Sequence, residues 1–120
     1  MTRPRSGQGM DGGARPNAAQ NAERVRRIVD VLMTLQPGEV ATYGEIAEIA
    51  GYPKQSRLVG RILSTTDVEV PWWRVVNAAG RLVPGHERAQ SALLREEDVM
   101  IRNGKVATAP FGRFSRSHHP

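Results

Sequence analysis

The stretch Val70-Pro71-Trp72-Trp73-Arg74-Val75-Val76-Asn77 decides how this chain is read. It sets both tryptophans of the protein side by side, between a proline and an arginine, and follows them with a β-branched pair and a turn residue. Tryptophan buries most of its surface, and its indole N–H then needs an acceptor. Arginine in such a setting is a rigid fork of donors. Taken alone, the stretch fits either a hydrophobic knot in a small core or the floor and wall of a pocket. What flanks it decides between the two.

On the N-terminal side the sequence predicts three helices. The first runs from Asn21 to Leu35, with Asn21 as cap. Val25, Ile28, Val29, Leu32 and Met33 recur at i, i+3, i+4, i+7 and i+8 and form one apolar stripe. Arg24, Arg26, Arg27 and Asp30 take the solvated faces, and Gln36-Pro37-Gly38-Glu39 ends the helix with turn chemistry. The second opens on Thr42-Tyr43-Gly44-Glu45, a capping box in which a hydroxyl and a carboxylate satisfy each other's backbone N–H. Ile46, Ala47, Ile49 and Ala50 supply its apolar face, and Gly51 stops it. The third starts at Pro53 and ends near Leu63, burying Leu58, Val59, Ile62 and Leu63. Its exposed side carries Lys54, Gln55, Ser56, Arg57 and Arg61, with no acidic residue among them, and Gly60 leaves a bare patch of backbone. Helix, glycine-containing turn, helix is the helix-turn-helix pattern. In a basic chain the second helix of such a pair is the natural DNA-contacting one, against the plainer reading of a surface helix with ordinary basic decoration.

Val68-Glu69-Val70 alternates like a short strand and delivers the chain to Pro71. Beyond the tryptophans, Asn77-Ala78-Ala79-Gly80 reads as a turn, Arg81-Leu82-Val83 as a short returning strand, and Pro84-Gly85 as its break. A last helix spans Glu87 to Glu97, with Ala89, Ala92, Leu93 and Val99 expected to face inward. Asn103-Gly104 between apolar residues predicts a hairpin. Phe111 and Phe114 are candidates to dock the end of the chain. Composition divides the sequence into a Gly-, Pro- and Arg-rich tail over 1–20, one domain over 21–108, and a basic C-terminal tail over 109–120.

The formal charge of +5 and pI of about 10.7 over 120 residues favour a polyanionic partner. The chain has no cysteine, which excludes disulfides, cysteine-ligated zinc and a thiol nucleophile. There is no signal-peptide pattern and no apolar run able to cross a membrane, so the cytoplasm is the expected compartment. His118 and His119 fall in the C-terminal tail, and His86, in a Pro-Gly loop, reads as a surface residue. With no metal-ligand spacing and no phosphate-binding glycine loop, neither a metal, a cofactor nor a catalytic residue is expected.

Three segments in order, Gly38–Ala47, Gly51–Gly60 and Val70–Asn77, resemble the DNA-binding domain of the O6-alkylguanine-DNA alkyltransferases, over about Glu23 to Val99. The resemblance implies a mostly α fold with short β elements, a winged-helix-like helix-turn-helix domain of the alkyltransferase type. In the repair enzymes the central segment reads Pro-Cys-His-Arg and the cysteine takes the alkyl group. Here Trp72 stands at that place, the mark of the alkyltransferase-like branch, which binds alkylated DNA without repairing it. Trp73 replaces the histidine, a departure from relatives that read Pro-Trp-His-Arg. Alkyl transfer needs a thiolate raised by a neighbouring histidine and an acid. The expectation is therefore a protein that is not an enzyme.

The resemblance also assigns roles. Tyr43 matches the tyrosine that crowds the target phosphate and helps rotate the nucleotide out; Arg57 matches the arginine that fills the vacated stack. Thr42, Lys54, Gln55, Ser56, Gly60 and Arg61 would face the DNA, in the minor groove rather than the major. Trp72, Trp73 and Arg74 would border the lesion pocket, Arg74 as a holder of its architecture, and Val83, Pro84 and Gly85 with His86 would form the loop that closes it. Arg81 or Arg88 would probe the guanine. The function implied is a monomeric sensor of O6-alkylguanine in double-stranded DNA that flips the lesion, bends the duplex and flags it for nucleotide excision repair proteins. The rival readings are a helix-turn-helix transcriptional regulator with sequence-specific binding, and an enzyme acting on the lesion by another route.

Overall fold

The computed structural model describes residues 17–116. In chain order its elements are α1 (Ala18–Met33), β1 (Glu39–Thr42), α2 (Tyr43–Ala50), α3 (Ser56–Thr65), a 3-10 turn (Trp72–Arg74), β2 (Val75–Val76), α4 (Glu87–Glu96), β3 (Met100–Arg102), β4 (Lys105–Thr108) and β5 (Phe111–Gly112). The fold is mostly helical with short strands, as the sequence leads one to expect. Of the two tails read from composition, residues 1–16 and 117–120 lie outside the described residues. The intervening ends are structured: Ala18–Gln20 open α1, and Phe111–Gly112 form β5.

Asn17, not Asn21, caps α1. Its side chain accepts from Gln20 N at 2.8 Å while Gln20 Oε1 accepts from Asn17 N at 3.0 Å, closing a capping box that draws the helix start upstream. Ile28 and Leu32 are fully buried, but Val25 and Met33 of the expected stripe are exposed. The stripe is narrower than its spacing implies because α2 and α3 cover only its middle. The expected box at α2 forms: Thr42 Oγ1 accepts from Glu45 N and Glu45 Oε1 from Thr42 N. Gly51 ends the helix in the left-handed region at φ 99°, where a side chain would be strained. Ile49, counted on the buried face of α2, points to solvent. Pro53 does not open α3. Lys54 takes φ 67°, which interrupts helical geometry, so α3 begins at Ser56 and Lys54 and Gln55 sit on the turn before it.

β1 was not anticipated. It lies in the middle of a three-stranded parallel sheet of order β2-β1-β5, with Ala41 opposite Val75, Thr42 opposite Val76, and Glu39 opposite Phe111. A parallel strand covered on both faces shows no alternation, and Val40, Ala41 and Thr42 are indeed all buried. One core joins α1, α2 and α3 through Ile28, Leu32, Ile46, Val59 and Ile62. A second, on the other side of the sheet, joins Val40, Val76, Leu82, Leu94, Val99, Val106 and Ala109, with Phe114 docked against it. The hairpin forms at Asn103 and Gly104, both at positive φ as a two-residue turn of the primed kind demands. Two expected strands do not form: Val68–Val70 is irregular and Val68 is exposed, while Arg81 makes one isolated bridge to Lys105. α4 is turned from its expected orientation. Gln90 and Leu94 are fully buried, and Ala89 and Ala92 are exposed. A polar residue at the centre of the buried face hid that face from the apolar spacing.

Candidate nucleic-acid interface

β1 runs straight into α2, so the Thr42 cap and the Tyr43 ring share one corner. Thr42, expected to face DNA, is 5% exposed, and its hydroxyl is committed to the Glu45 N–H. Tyr43 is partly buried. That burial pushes its phenol above the usual value. Arg57 stands in the first turn of α3 and Arg61 one turn later, so both share a face of the helix. Both are exposed, and among the described residues neither has an acidic partner. A side-chain carbon added at Gly60 would meet nothing within 4 Å, so this part of α3 is open to an incoming surface. One basic residue at this corner escaped the sequence reading. Arg113, delivered by β5, has Nη1 3.9 Å from Glu45 and borders a small cleft with Lys54.

Between α2, α3, the 3-10 turn and the loop before α4 lies a cleft of about 470 Å³. Tyr43, Gly60, Leu63, Ser64, Trp72, Val83 and His86 line it. The fold thus brings Tyr43, Gly60, Trp72 and Val83 together from four separate segments. Pro84 and Gly85 are exposed and do not line it. His86 is exposed, as its place in a Pro-Gly loop implies, and stands edge-on to Trp72, with ring centroids 5.9 Å apart. Neither Arg81, held at the hairpin by its bridge to Lys105, nor Arg88, in the first turn of α4, lines the cleft.

Trp73 and Arg74 lie on the far side of Trp72. The two indoles meet at 90° with centroids 6.2 Å apart, and Trp72, Trp73 and Arg74 border a second cleft of about 610 Å³ with Met33, Val68 and Pro71. Trp72 is therefore a wall shared by two clefts, whereas Trp73 and Arg74 belong to only one. Their polar atoms converge on Glu97. Trp73 Nε1 donates to Oε2 at 2.8 Å, Arg74 Nη2 to Oε2 at 2.7 Å, Arg74 Nε to Oε1 at 3.0 Å, and Gly38 N to Oε1 at 2.9 Å. The remaining Arg74 nitrogen, Nη1, donates to the Leu35 carbonyl at 2.9 Å, and the guanidinium lies 5.1 Å from the Trp73 ring centre. Burial by itself raises the Glu97 carboxyl, but the bonds from Arg74, Gly38 and Trp73 outweigh it and hold the group below the usual carboxylate range. Arg74 is thus tied to the framework beneath the tryptophans. Nothing in the primary structure links Glu97 to the tryptophans; only the packing of α4 does.

Among the described residues no group of His, Asp or Glu has the arrangement a metal ion needs, and no helix is long and apolar enough to cross a membrane. Residues 23–99 match the family model described as 6-O-methylguanine DNA methyltransferase, DNA binding domain. Over 86 residues the chain is 41% identical to a Vibrio parahaemolyticus protein named DNA base-flipping protein, covering 68% of this chain and 86% of that one. It is 36% identical over 81 residues to alkyltransferase-like protein 1 of Schizosaccharomyces pombe, covering 62% and 75%. Its fold is similar to the crystal structure of the S. pombe alkyltransferase-like protein in complex with damaged DNA containing O6-carboxymethylguanine, with TM-score 0.63, 32% identity, and coverage of 71% of this chain and 87% of that one. It is also similar to the Mycobacterium tuberculosis O6-methylguanine methyltransferase, with TM-score 0.56 and 32% identity over 69% of this chain and 50% of that one. The chain therefore belongs to the O6-alkylguanine-DNA alkyltransferase family through that family's DNA-binding domain, and within it is similar to the alkyltransferase-like proteins.

Proposed function

We propose that the chain is a non-enzymatic sensor of O6-alkylguanine in duplex DNA. The observation that carries the reading is the position of Trp72: it walls a cleft also lined by Tyr43 of α2 and Gly60 of α3, in a chain without a single cysteine. In this reading α3 enters the minor groove with Arg57 and Arg61 outward, and the bare backbone at Gly60 permits close approach. Tyr43 crowds the phosphate of the target nucleotide, the damaged base swings out past it, and Arg57 stacks in the vacancy. Rotating a base out of the helix costs a few kcal/mol, and a planar cation in the gap offsets part of that. The extruded alkylguanine rests against the Trp72 indole, which offers stacking surface and no electrophile acceptor. A cleft of about 470 Å³ is in the size range of small-ligand sites, roughly 300–1,000 Å³. The bent, flagged duplex is then handed to nucleotide excision repair proteins in the cytoplasm.

The sequence-specific regulator finds no particular support in the site, since the cleft beside α3 has no use in reading base edges. A titration on two duplexes that differ by one O6-methyl group tests the proposal. Tighter binding to the methylated duplex, with the methyl group still on guanine after incubation, is the expected result. Equal affinity for both would refute the sensor, and transfer or release of the methyl group would refute its non-enzymatic character.

A further inference from the structure

Gln90 is fully buried, and every polar atom of its amide is used. Its Oε1 accepts from Val83 N at 2.7 Å, while Nε2 donates to the Trp73 carbonyl at 3.1 Å and the Val75 carbonyl at 3.0 Å. Val83 lines one wall of the cleft, and Trp72, the immediate neighbour of Trp73, lines another. One side chain on α4, itself fully buried, thus bridges the loop and the tryptophan segment. A glutamine suits this task because an amide presents one acceptor and two donors at fixed angles. Neutral hydrogen bonds in a dry setting tolerate little drift, since a loosened partner is left without water to replace it.

From this geometry we infer that Gln90 is the positioning residue that sets the width of the lesion cleft, and hence how well an extruded alkylguanine is told from an ordinary base. The inference rests on the sensor reading above. Gln90 touches neither DNA nor lesion; it holds the separation of two walls that do. α3 and its arginines lie outside this set of bonds, so general attraction to the duplex does not depend on it.

The experiment compares wild type, Gln90→Leu and Gln90→Met on methylated and plain duplexes at a temperature where each is folded, as judged by tryptophan fluorescence. Leucine removes both bonding functions. Methionine also removes both bonding functions but keeps the unbranched length of glutamine and adds no charge, so it is the milder change should the leucine variant fail to fold. In Gln90→Leu the preference for the methylated duplex falls by roughly tenfold, the scale of one lost buried hydrogen bond. Plain-duplex affinity is unchanged, and Gln90→Met shows the same loss of preference. A parallel readout, fluorescence of 2-aminopurine opposite the lesion, shows the flipped population falling with the preference. A folded variant that keeps the full preference overturns the inference, and so does an equal loss on both duplexes. If wild type itself shows no preference, it is the sensor reading that fails, and this is seen before any variant is compared.

Discussion

Replacing Glu97 by glutamine changes one oxygen to an NH2 group and should cost the fold about 3 kcal/mol, the lower end of the range for breaking a buried ion pair. The magnitude follows from the site. The carboxylate accepts from Gly38 N, Trp73 Nε1 and two nitrogens of Arg74, and the two ionic side chains are only 12% and 13% exposed. Whichever oxygen becomes the amide nitrogen, it then faces donors where it met acceptance, and the guanidinium loses its counter-charge. The remaining bond from Arg74 Nη1 to the Leu35 carbonyl keeps the cost from being larger. For a domain of about 100 residues, with an unfolding entropy near 2.1 cal/mol/K per residue, 3 kcal/mol lowers the melting temperature by roughly 14 °C. Circular dichroism melts at neutral pH measure this, with Glu23→Gln as the comparison. Glu23 pairs with Arg27 at 3.0 Å, but both side chains are about half exposed, so its loss should cost less than about 0.5 kcal/mol. The dependence on pH has a definite sign. Since the native Glu97 carboxyl is held below its unfolded value, its stabilisation is complete above about pH 4.3 and is lost as pH falls through the lowered native pKa. The gap between wild type and Glu97→Gln should therefore close in acid. A drop no larger than that of Glu23→Gln, or a gap unchanged into acid, would refute the reasoning.

Three further outcomes are expected. Thr42→Ala removes the hydroxyl that accepts from Glu45 N at 3.1 Å and should destabilise by about 1 kcal/mol in urea titrations. Gly51→Ala forces a side chain into φ 99° and should cost about 1–2 kcal/mol in the same assay; the nearest atom to the new carbon, Arg27 Nη1 at 3.2 Å, can swing away, so backbone strain carries the effect. Arg57→Ala should leave stability within about 0.5 kcal/mol, since the side chain is exposed and without a protein partner among the described residues. Yet it should weaken binding to the methylated duplex at least tenfold, about 1.4 kcal/mol. A uniform loss on all duplexes, with a salt slope reduced by about one, would make Arg57 a phosphate contact only.

The helix-turn-helix was legible because its signals are local. A capping box at Thr42–Glu45 and a glycine stop at Gly51 are settled within one or two turns of chain, and the structure shows both. The Asn103-Gly104 hairpin was legible for the same reason. What the sequence hid depends on distant partners. β1 is a strand only because Val75–Val76 and Phe111–Gly112 come to lie on either side of it. α4 presents Gln90 inward because two carbonyls and an N–H from elsewhere await it, and no hydropathy pattern announces a buried amide. Of the residues that line the cleft, Trp72 and Val83 were expected at a pocket, Tyr43 and Gly60 at the DNA surface, whereas Trp73 and Arg74, adjacent in sequence to Trp72, turn to the opposite side. A 3-10 turn advances about 120° per residue, so neighbours along it part company in a way that a linear motif conceals.

The family match ends at Val99, but the sheet does not. β5 flanks β1 at Glu39 and Val40, and Val106, Ala109 and Phe114 complete the second core. A chain stopped at Val99 would keep the whole helix-turn-helix yet bare one side of the strand that feeds it, creating a raw backbone edge of the kind that recruits other strands. Aggregation, rather than loss of DNA affinity, is the failure to anticipate from such a truncation, and a fusion joined directly at Val99 would inherit it.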